Sequence, residues 1–291
     1  MKIAWCADVH IASHKRFGGP IESSINRRGR QALTTFRAAQ QRAVKAGASA
    51  FVVLGDLFDT DRPVPQLLAE VRSDFATIGP KMKRVLLVGN HDQTSDAPGD
   101  HALGPLAGDN AIVVEKPTSF LLGVPGERET VLHLLPFRAA PARDWFADAV
   151  AERRNAAVEL FSAGSLRAST NELLGFHLGI IDSKTPTFLR GAHDAIEVAE
   201  VQAALAEWEI DAAFCGNWHT HGVWNAIVAP IMQLGALCPT GFDNAGVDGY
   251  GTLAVYDTEA RTTRKYRIPG PRFLVRFFDE IGAKRLVRLR R

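Results

Sequence analysis

The chain has 291 residues, 46% hydrophobic and 23% charged, with a formal net charge of +2, the mix of an ordinary soluble globular protein. Its longest apolar runs, such as 85–88 and 131–135, are far too short to span a bilayer. Three scattered cysteines, Cys6, Cys215 and Cys238, exclude a disulfide framework and an all-thiolate metal site. The first residues enter a strand-like run with no signal-peptide layout, so a reducing cytoplasm is the expected location.

The charge is unevenly spread. Residues 261–291 hold eleven Lys/Arg against Asp279 and Glu280. A second basic cluster, Lys15, Arg16, Arg27, Arg28 and Arg30, has only Glu22 against it. Such clusters are either solvated faces or electrostatic footprints for phosphate-rich partners.

Residues 2–7 predict a strand with Asp8-Val9-His10 at its end. Alternate side chains of an extended chain point the same way, so Asp8 and His10 are expected to converge. Residues 11–30, with Gly18-Gly19-Pro20, read as a loop. Over 31–46 the apolar residues Leu33, Phe36, Ala39, Ala43 and Val44 sit near helical spacing, and Gly47 closes the helix. The run 51–54 is a buried strand that opens into Gly55-Asp56-Leu57-Phe58-Asp59. Asp56 there is either a turn residue or a group facing a site. Strand, helix and strand make a βαβ unit with a right-handed crossover.

A helix over 64–78, stopped by Gly79-Pro80, and a strand over 84–88 repeat the unit, and the strand ends in Gly89-Asn90-His91-Asp92. Three successive strands thus deliver Asp8 and His10, Asp56, and Asn90 and His91 to one sheet edge, the edge where open α/β sheets bind ligands. The short β runs 111–114, 119–122 and 131–137 suggest a meandering second sheet. A helix follows over 142–160, then a strand over 173–176 that stops at His177. A polar loop over 183–192 leads to a helix over 195–207 and a strand over 212–215. Gly216-Asn217-Trp218-His219-Thr220-His221 comes next, and a late strand covers 251–257. The domain reading is 1–257, with a basic extension over 258–291.

Asp8, His10, Asp56, Asn90, His177, His219 and either Asn217 or His221 all follow apolar runs where strands should stop. A mixed carboxylate, imidazole and amide set is what a pair of divalent first-row ions accepts. Two ions about 3.5–4 Å apart need a bridging carboxylate, and Asp56 is the central one. Such a pair suits phosphoester hydrolysis, because it binds phosphate oxygens and generates a nucleophile near neutral pH. His91, beside Asn90, is the candidate acid for the leaving oxygen. Asp59 and Asp92 are expected to orient ligands or backbone, and His133, inside an apolar run, to pack. Trp218 and Trp224 read as packing residues, and His14, His101 and His193 as loop residues.

The ordered set Asp8-x-His10, Gly55-Asp56-x-x-Asp59, Gly89-Asn90-His91-Asp92, His177 and Gly216-x-x-His219 resembles the calcineurin-like metallophosphoesterases. More narrowly, Gly55–Asp59 followed by Arg62-Pro63, Phe176-His177-x-Gly-Ile180 and the turn after Gly235 make the chain similar to SbcD-type double-strand-break repair nucleases, over roughly 1–257. The resemblance implies an α/β fold of two packed mixed β-sheets flanked by helices, a four-layer αββα sandwich. It implies metal one on Asp8, His10, Asp56 and the last motif's second histidine. Metal two would take Asp56, Asn90, His177 and that motif's first histidine. Manganese is the usual metal of such nucleases, with magnesium, iron or zinc as other choices.

The family's Gly-His-x-His pattern is altered here. Without a gap, Asn217 replaces the first histidine and His219 is the second; with a two-residue slip, His219 and His221 form the pair. The gapless register is preferred because the Gly235 turn then needs no adjustment. The family also carries a C-terminal capping region and a segment that docks an SbcC-type ATPase, where this sequence has only the basic stretch 258–291. The expected activity is metal-dependent cleavage of DNA ends or single strands, in repair, recombination or replication, with Lys15, Arg16, Arg27, Arg28 and the basic tail on the phosphates. The expected partners are DNA and an SbcC-type ATPase, with dimerisation common in the family and no membrane involved. The competing expectations are a small-molecule or nucleotide phosphoesterase on the same fold, and a non-catalytic scaffold that has lost metal two.

Overall fold

The computed structural model describes the chain except residues 16–17, 109, 124–128, 163–170, 226–228, 243, 279–283 and 288–291. Arg16 and the last basic residues therefore lie outside the described residues.

Two six-stranded sheets form the frame. Lys2–Cys6, Ala50–Leu54, Lys83–Leu87 and Ala111–Val114 run parallel in the first sheet, and Tyr250–Asp257 pairs antiparallel to Lys2–Cys6. In the second, Thr130–Leu135, Asn171–His177, Ala212–Gly216 and Pro230–Gln233 run parallel. Its antiparallel edges are Thr118–Leu122 and Gly222–Asn225.

Strands buried on both faces read as continuous apolar runs, and the period of two sorts their side chains. In Ala50–Leu54, residues Ala50, Val52 and Leu54 face the second sheet, while Phe51 and Val53 face the outer helices. Ile3, Trp5, Val85 and Leu87 join the inner core against Leu132, Leu134, Leu173 and Phe214. Trp5 stacks on Phe214 with centroids 4.5 Å apart. Gly175 is required at this contact, because a Cβ there would come within 2.6 Å of Leu134 and 2.9 Å of Leu54.

Helices cover both outer faces and complete the αββα order of layers. Arg27–Lys45 buries Leu33, Phe36, Ala39 and Ala43 on the first sheet, and Pro65–Thr77 adds Leu67, Val71 and Phe75. Phe146–Ser162 and Val198–Glu207 cover the second sheet through Phe146, Val150, Val201 and Leu205. Among the described residues no helix is long and apolar enough to cross a membrane.

Several elements depart from the expected ones. The first helix starts at Arg27, because the Asn26 side chain accepts the Gly29 N–H at 2.9 Å as an N-cap. Arg27, Arg28 and Arg30 therefore sit on a helix and not in a loop. Ala111–Val114 belongs to the first sheet, alongside Lys83–Leu87, so the three short runs do not form one meander. Ala195–Glu197 is extended and pairs with Gly179–Ile181, leaving the helix to begin at Val198. Past Asp257 the chain turns into Thr262–Pro269, which pairs along its whole length with Tyr250–Asp257. Part of the basic segment is thus an edge strand of the first sheet, where exposed lysine and arginine are at home.

Candidate metal centre

The parallel strands of both sheets end at one edge, and the loops that follow them are laced together. The amides of Val9 and His10 both donate to the Asp56 carbonyl, at 2.9 and 3.0 Å, and Ile11 donates to the Leu57 carbonyl. Asp92, fully buried, accepts the amides of Phe58 at 2.9 Å, Gly89 at 3.0 Å and Leu57 at 3.3 Å. Burial first, and then the Asp56 charge, push the Asp92 carboxyl up to about 7. Its part is to clasp two loops through backbone, as expected of an orienting residue.

Asp8, His10, Asp56 and Asn217 all take positive φ, at 53°, 50°, 53° and 87°. Non-glycine residues in this region carry local strain that the surrounding structure must hold. Asp8 and His10 therefore converge through a left-handed turn after Cys6, and not by alternation along a strand. The glycines of two motifs have a steric reason. A Cβ on Gly55 would lie 2.1 Å from Nδ1 of His177, and one on Gly89 would lie 2.2 Å from an Asp56 oxygen. Only glycine lets these rings and carboxylates approach the backbone so closely.

Three histidines point their Nε2 atoms at the cluster because each Nδ1 is occupied. His10 Nδ1 is 2.9 Å from Asp59 Oδ1, His177 Nδ1 is 2.7 Å from the Leu54 carbonyl, and His219 Nδ1 is 3.2 Å from the Thr240 hydroxyl. Such outer partners fix the tautomer and rotation of metal-binding imidazoles. The Nε2 atoms of His10 and His219 lie 2.9 Å apart. Asp56 stands between two groups: Oδ2 is 3.8 Å from His10 Nε2, and Oδ1 is 3.5 Å from His177 Nε2. Asn90 Oδ1 is 2.9 Å from His177 Nε2. Ligand atoms of Asp8, His10 and His219 fall within 4.8 Å of one another, as do those of Asp8, Asp56 and His177.

The electrostatics are those of a site that wants a cation. Burial pushes the Asp8 carboxyl up. Burial opposes ionisation of Asp56 as well, but His177, His10 and His91 hold it well below the usual carboxylate range. Burial pulls His177 down, and the Asp56 and Asp8 charges more than offset this and raise it to about 9. Buried carboxylates and imidazoles of this kind, with lone pairs converging on shared points, match the donor set of two divalent ions.

His91 sits at the mouth with its side chain 45% exposed, its ring edge-on to His10 at 4.9 Å. It also offers a ring nitrogen within 4.8 Å of ligand atoms of His10 and Asp56. Its backbone amide donates to Asp56 Oδ1 at 2.9 Å. Asn217 is at the cluster through its backbone, whose N–H donates to both Asp8 oxygens. Its side-chain NH2 donates to the carbonyl and carboxylate of Asp194, each at 2.9 Å, which leaves the amide oxygen on the other end. His221 lies elsewhere: its Nε2 is 3.2 Å from Lys265 Nζ, and among the described residues it shares no cluster with the other ligands.

Of the expected phosphate contacts, Lys15 and Arg28 line one groove together with His14, Asp59 and Arg62. Arg27 is exposed at the helix start and does not line it. His133 is buried between Ser119 and Glu172, in keeping with packing. Trp218 lies against Gly179, where a Cβ would come within 2.4 Å of its ring. Thr240 and Asp194 support the site through His219 and Asn217. Thr240 follows the Gly235 turn that marks the motif, whereas nothing about Asp194 in the sequence connects it to Asn217.

The calcineurin-like phosphoesterase profile matches residues 1–223. The chain belongs to that family, a family of hydrolases, and the αββα frame and the carboxylate–histidine cluster are what it predicts. No curated protein sequence matches the chain. Among solved structures, TT1561 of Thermus thermophilus aligns at a TM-score of 0.51 and 12% identity, over 92% of this chain and 98% of that one. A dimetal phosphatase from Danio rerio aligns at 0.52 and 12%, over 92% and 98%. A putative 5'-nucleotidase from Staphylococcus aureus aligns at 0.55 and 14%, over 97% of this chain and 57% of that one. At these identities the likeness is one of fold.

Proposed function

We propose that the chain is a two-metal phosphodiesterase that hydrolyses DNA, as SbcD-type nucleases do. The observation that carries this reading is a groove of about 680 Å³ lined by His14, Lys15, Arg28 and Arg62, and joined to the metal centre through Asp59, which also lines it and bonds His10. An open cationic channel suits a backbone that continues beyond the reacting phosphate.

Asp8, His10, Asp56 and His219 would hold one ion, and Asp56, Asn90, His177 and the Asn217 carbonyl the other. When bound, the ions supply Lewis-acid stabilisation of the phosphate charge and a nucleophile at neutral pH. Asp59, Leu54 and Thr240 hold the histidine rings in register. His91, in reach of solvent beside Asn90, donates a proton to the leaving oxygen. Lys15, Arg28 and Arg62 neutralise neighbouring phosphates. Manganese fits this mixed nitrogen and oxygen donor set, and the work is that of a repair or recombination nuclease.

The test compares linear DNA with a chromogenic phosphodiester under manganese, with a salt titration. DNA cleavage that falls steeply with salt is expected. Turnover of the chromogen with no DNA cleavage at any salt would leave a small-molecule phosphoesterase. Failure on both, together with absence of bound metal, would leave a non-catalytic scaffold.

A further inference from the structure

Arg28 lies at the junction of two concavities. One is the cationic groove that Asp59, bonded to His10, joins to the metal centre. The other, about 290 Å³, is lined by Arg28, Phe242, Arg272, Phe273 and their neighbours. Arg28 also donates to the Thr240 carbonyl, and Thr240 meets His219 through its hydroxyl, so the junction is tied to the metal centre itself.

The second concavity has an aromatic floor. Phe242 and Phe273 pack edge to face with centroids 5.5 Å apart, and the Arg28 guanidinium sits 5.6 Å from the Phe273 ring centre. Phe242 is 49% exposed. The floor is fixed from behind: the Phe273 amide donates to the Gly246 carbonyl at 2.8 Å, Arg272 Nε to the Val247 carbonyl at 3.2 Å, and the Gly270 amide to the Gly249 carbonyl at 3.0 Å. A preorganised aromatic pair in water, rimmed by arginine, is a platform for flat aromatic ligands.

Across the two concavities the lining cations are Lys15, Arg28, Arg62 and Arg272. The sole lining carboxylate, among the described residues, is Asp59, which His10 and His14 already engage. Cations that track a backbone beside rings that accept bases are the two parts of a single-strand binding site. A duplex keeps its base faces stacked inside and could not use Phe242.

We propose that the path from the metal centre, along Lys15, Arg62 and Arg28, to the Phe242–Phe273 platform and Arg272 binds single-stranded DNA, with bases stacked on the platform. This rests on the reading of the site as a DNA phosphodiesterase, and it names the form of DNA the chain grips beside the cut.

The test measures binding of fluorescein-labelled phosphorothioate oligothymidylate, about 12 nucleotides long, to the metal-loaded protein, apart from any cleavage. Phe242→Ala weakens binding about tenfold and leaves the salt dependence unchanged, as expected for lost stacking. Phe242→Trp restores it. Lys15→Gln and Arg62→Gln each flatten the slope of log affinity against log salt by about 0.7. Melting temperatures confirm that each variant is folded. Equal affinity in the wild type and in these variants overturns the path. Tighter binding of a duplex, or of oligouridylate, overturns the assignment to single-stranded DNA. Ring-dependent binding in a protein that cleaves no DNA keeps the path and rejects the nuclease reading.

Discussion

Asp59 accepts a hydrogen bond from His10 Nδ1 at 2.9 Å through one oxygen and lies 3.3 Å from His14 Nδ1 through the other. One carboxylate thus sets the His10 ring at the cluster and ties it to His14 in the neighbouring groove. Burial disfavours its charge, but His10 and His14 hold its carboxyl well below the usual range. Its position, three residues after Asp56, follows from the turn that brings Asp56 to the cluster.

Asp59→Asn should therefore weaken metal binding by roughly 10–100-fold, because the acceptor that fixes the His10 tautomer loses its charge. Calorimetric titration of manganese into the metal-free variant checks this. An isotherm identical to the wild type's would remove Asp59 from the orienting role.

Asp8 is fully buried, at positive φ, and burial pushes its carboxyl up. Asparagine tolerates that left-handed backbone as aspartate does, and its oxygen can still accept the Asn217 amide. Asp8→Asn should raise the melting temperature of the metal-free protein by a few degrees and abolish hydrolysis, as expected where function holds a charge against stability. Thermal melts in chelator decide it, and a lower melting temperature would show that the charge is already compensated.

Much of this site could be read from sequence because each ligand terminates an apolar strand, and an apolar run that stops at a polar residue is visible without any fold. Asp8, His10, Asp56, Asn90, His177 and His219 are brought together on that basis. The supports could not be read so directly. Asp194 meets Asn217 only through the pairing of Gly179–Ile181 with Ala195–Glu197, and the apolar pair Ala195-Ile196 fits a helix as well as a strand. Thr262–Pro269 places Arg264 and Lys265 side by side, both exposed, and that break in alternation hides its place as an edge strand. Phe242 and Phe273 are far apart in the chain and adjacent only in the fold.

The choice between Asn217 and His221 has a measurable consequence. Asn217 adopts φ 87°, so Asn217→Gly removes the side chain without straining the backbone. This variant should lose one ion per chain at limiting metal, whereas His221→Ala, which removes a contact to Lys265, should retain both. Elemental analysis after desalting reads the difference. Loss of metal in His221→Ala alone would restore the slipped register.

His91 should matter in proportion to the leaving group. His91→Ala should cut turnover of DNA by about 10²–10⁴, the usual worth of a general acid, with metal content intact. An aryl phosphodiester, whose phenolate departs without a proton, should lose far less. Equal losses on both substrates would make His91 a positioning residue and not an acid.

Asp182 should give the fold a pH dependence remote from the metal centre. Its carboxylate accepts from Trp224 Nε1 at 2.9 Å and from the Lys184 amide at 2.8 Å, and the Trp224 bond leads in lowering its pKa. A carboxyl held lower in the folded state stabilises above its unfolded value and loses that contribution as pH falls through the folded one. Asp182→Asn should therefore melt below the wild type at pH 7, and the gap should close as pH falls below about 4. Melting curves of both proteins across that range test it. A constant gap would mean that Asp182 acts through its shape and hydrogen bonds, with no part for its charge.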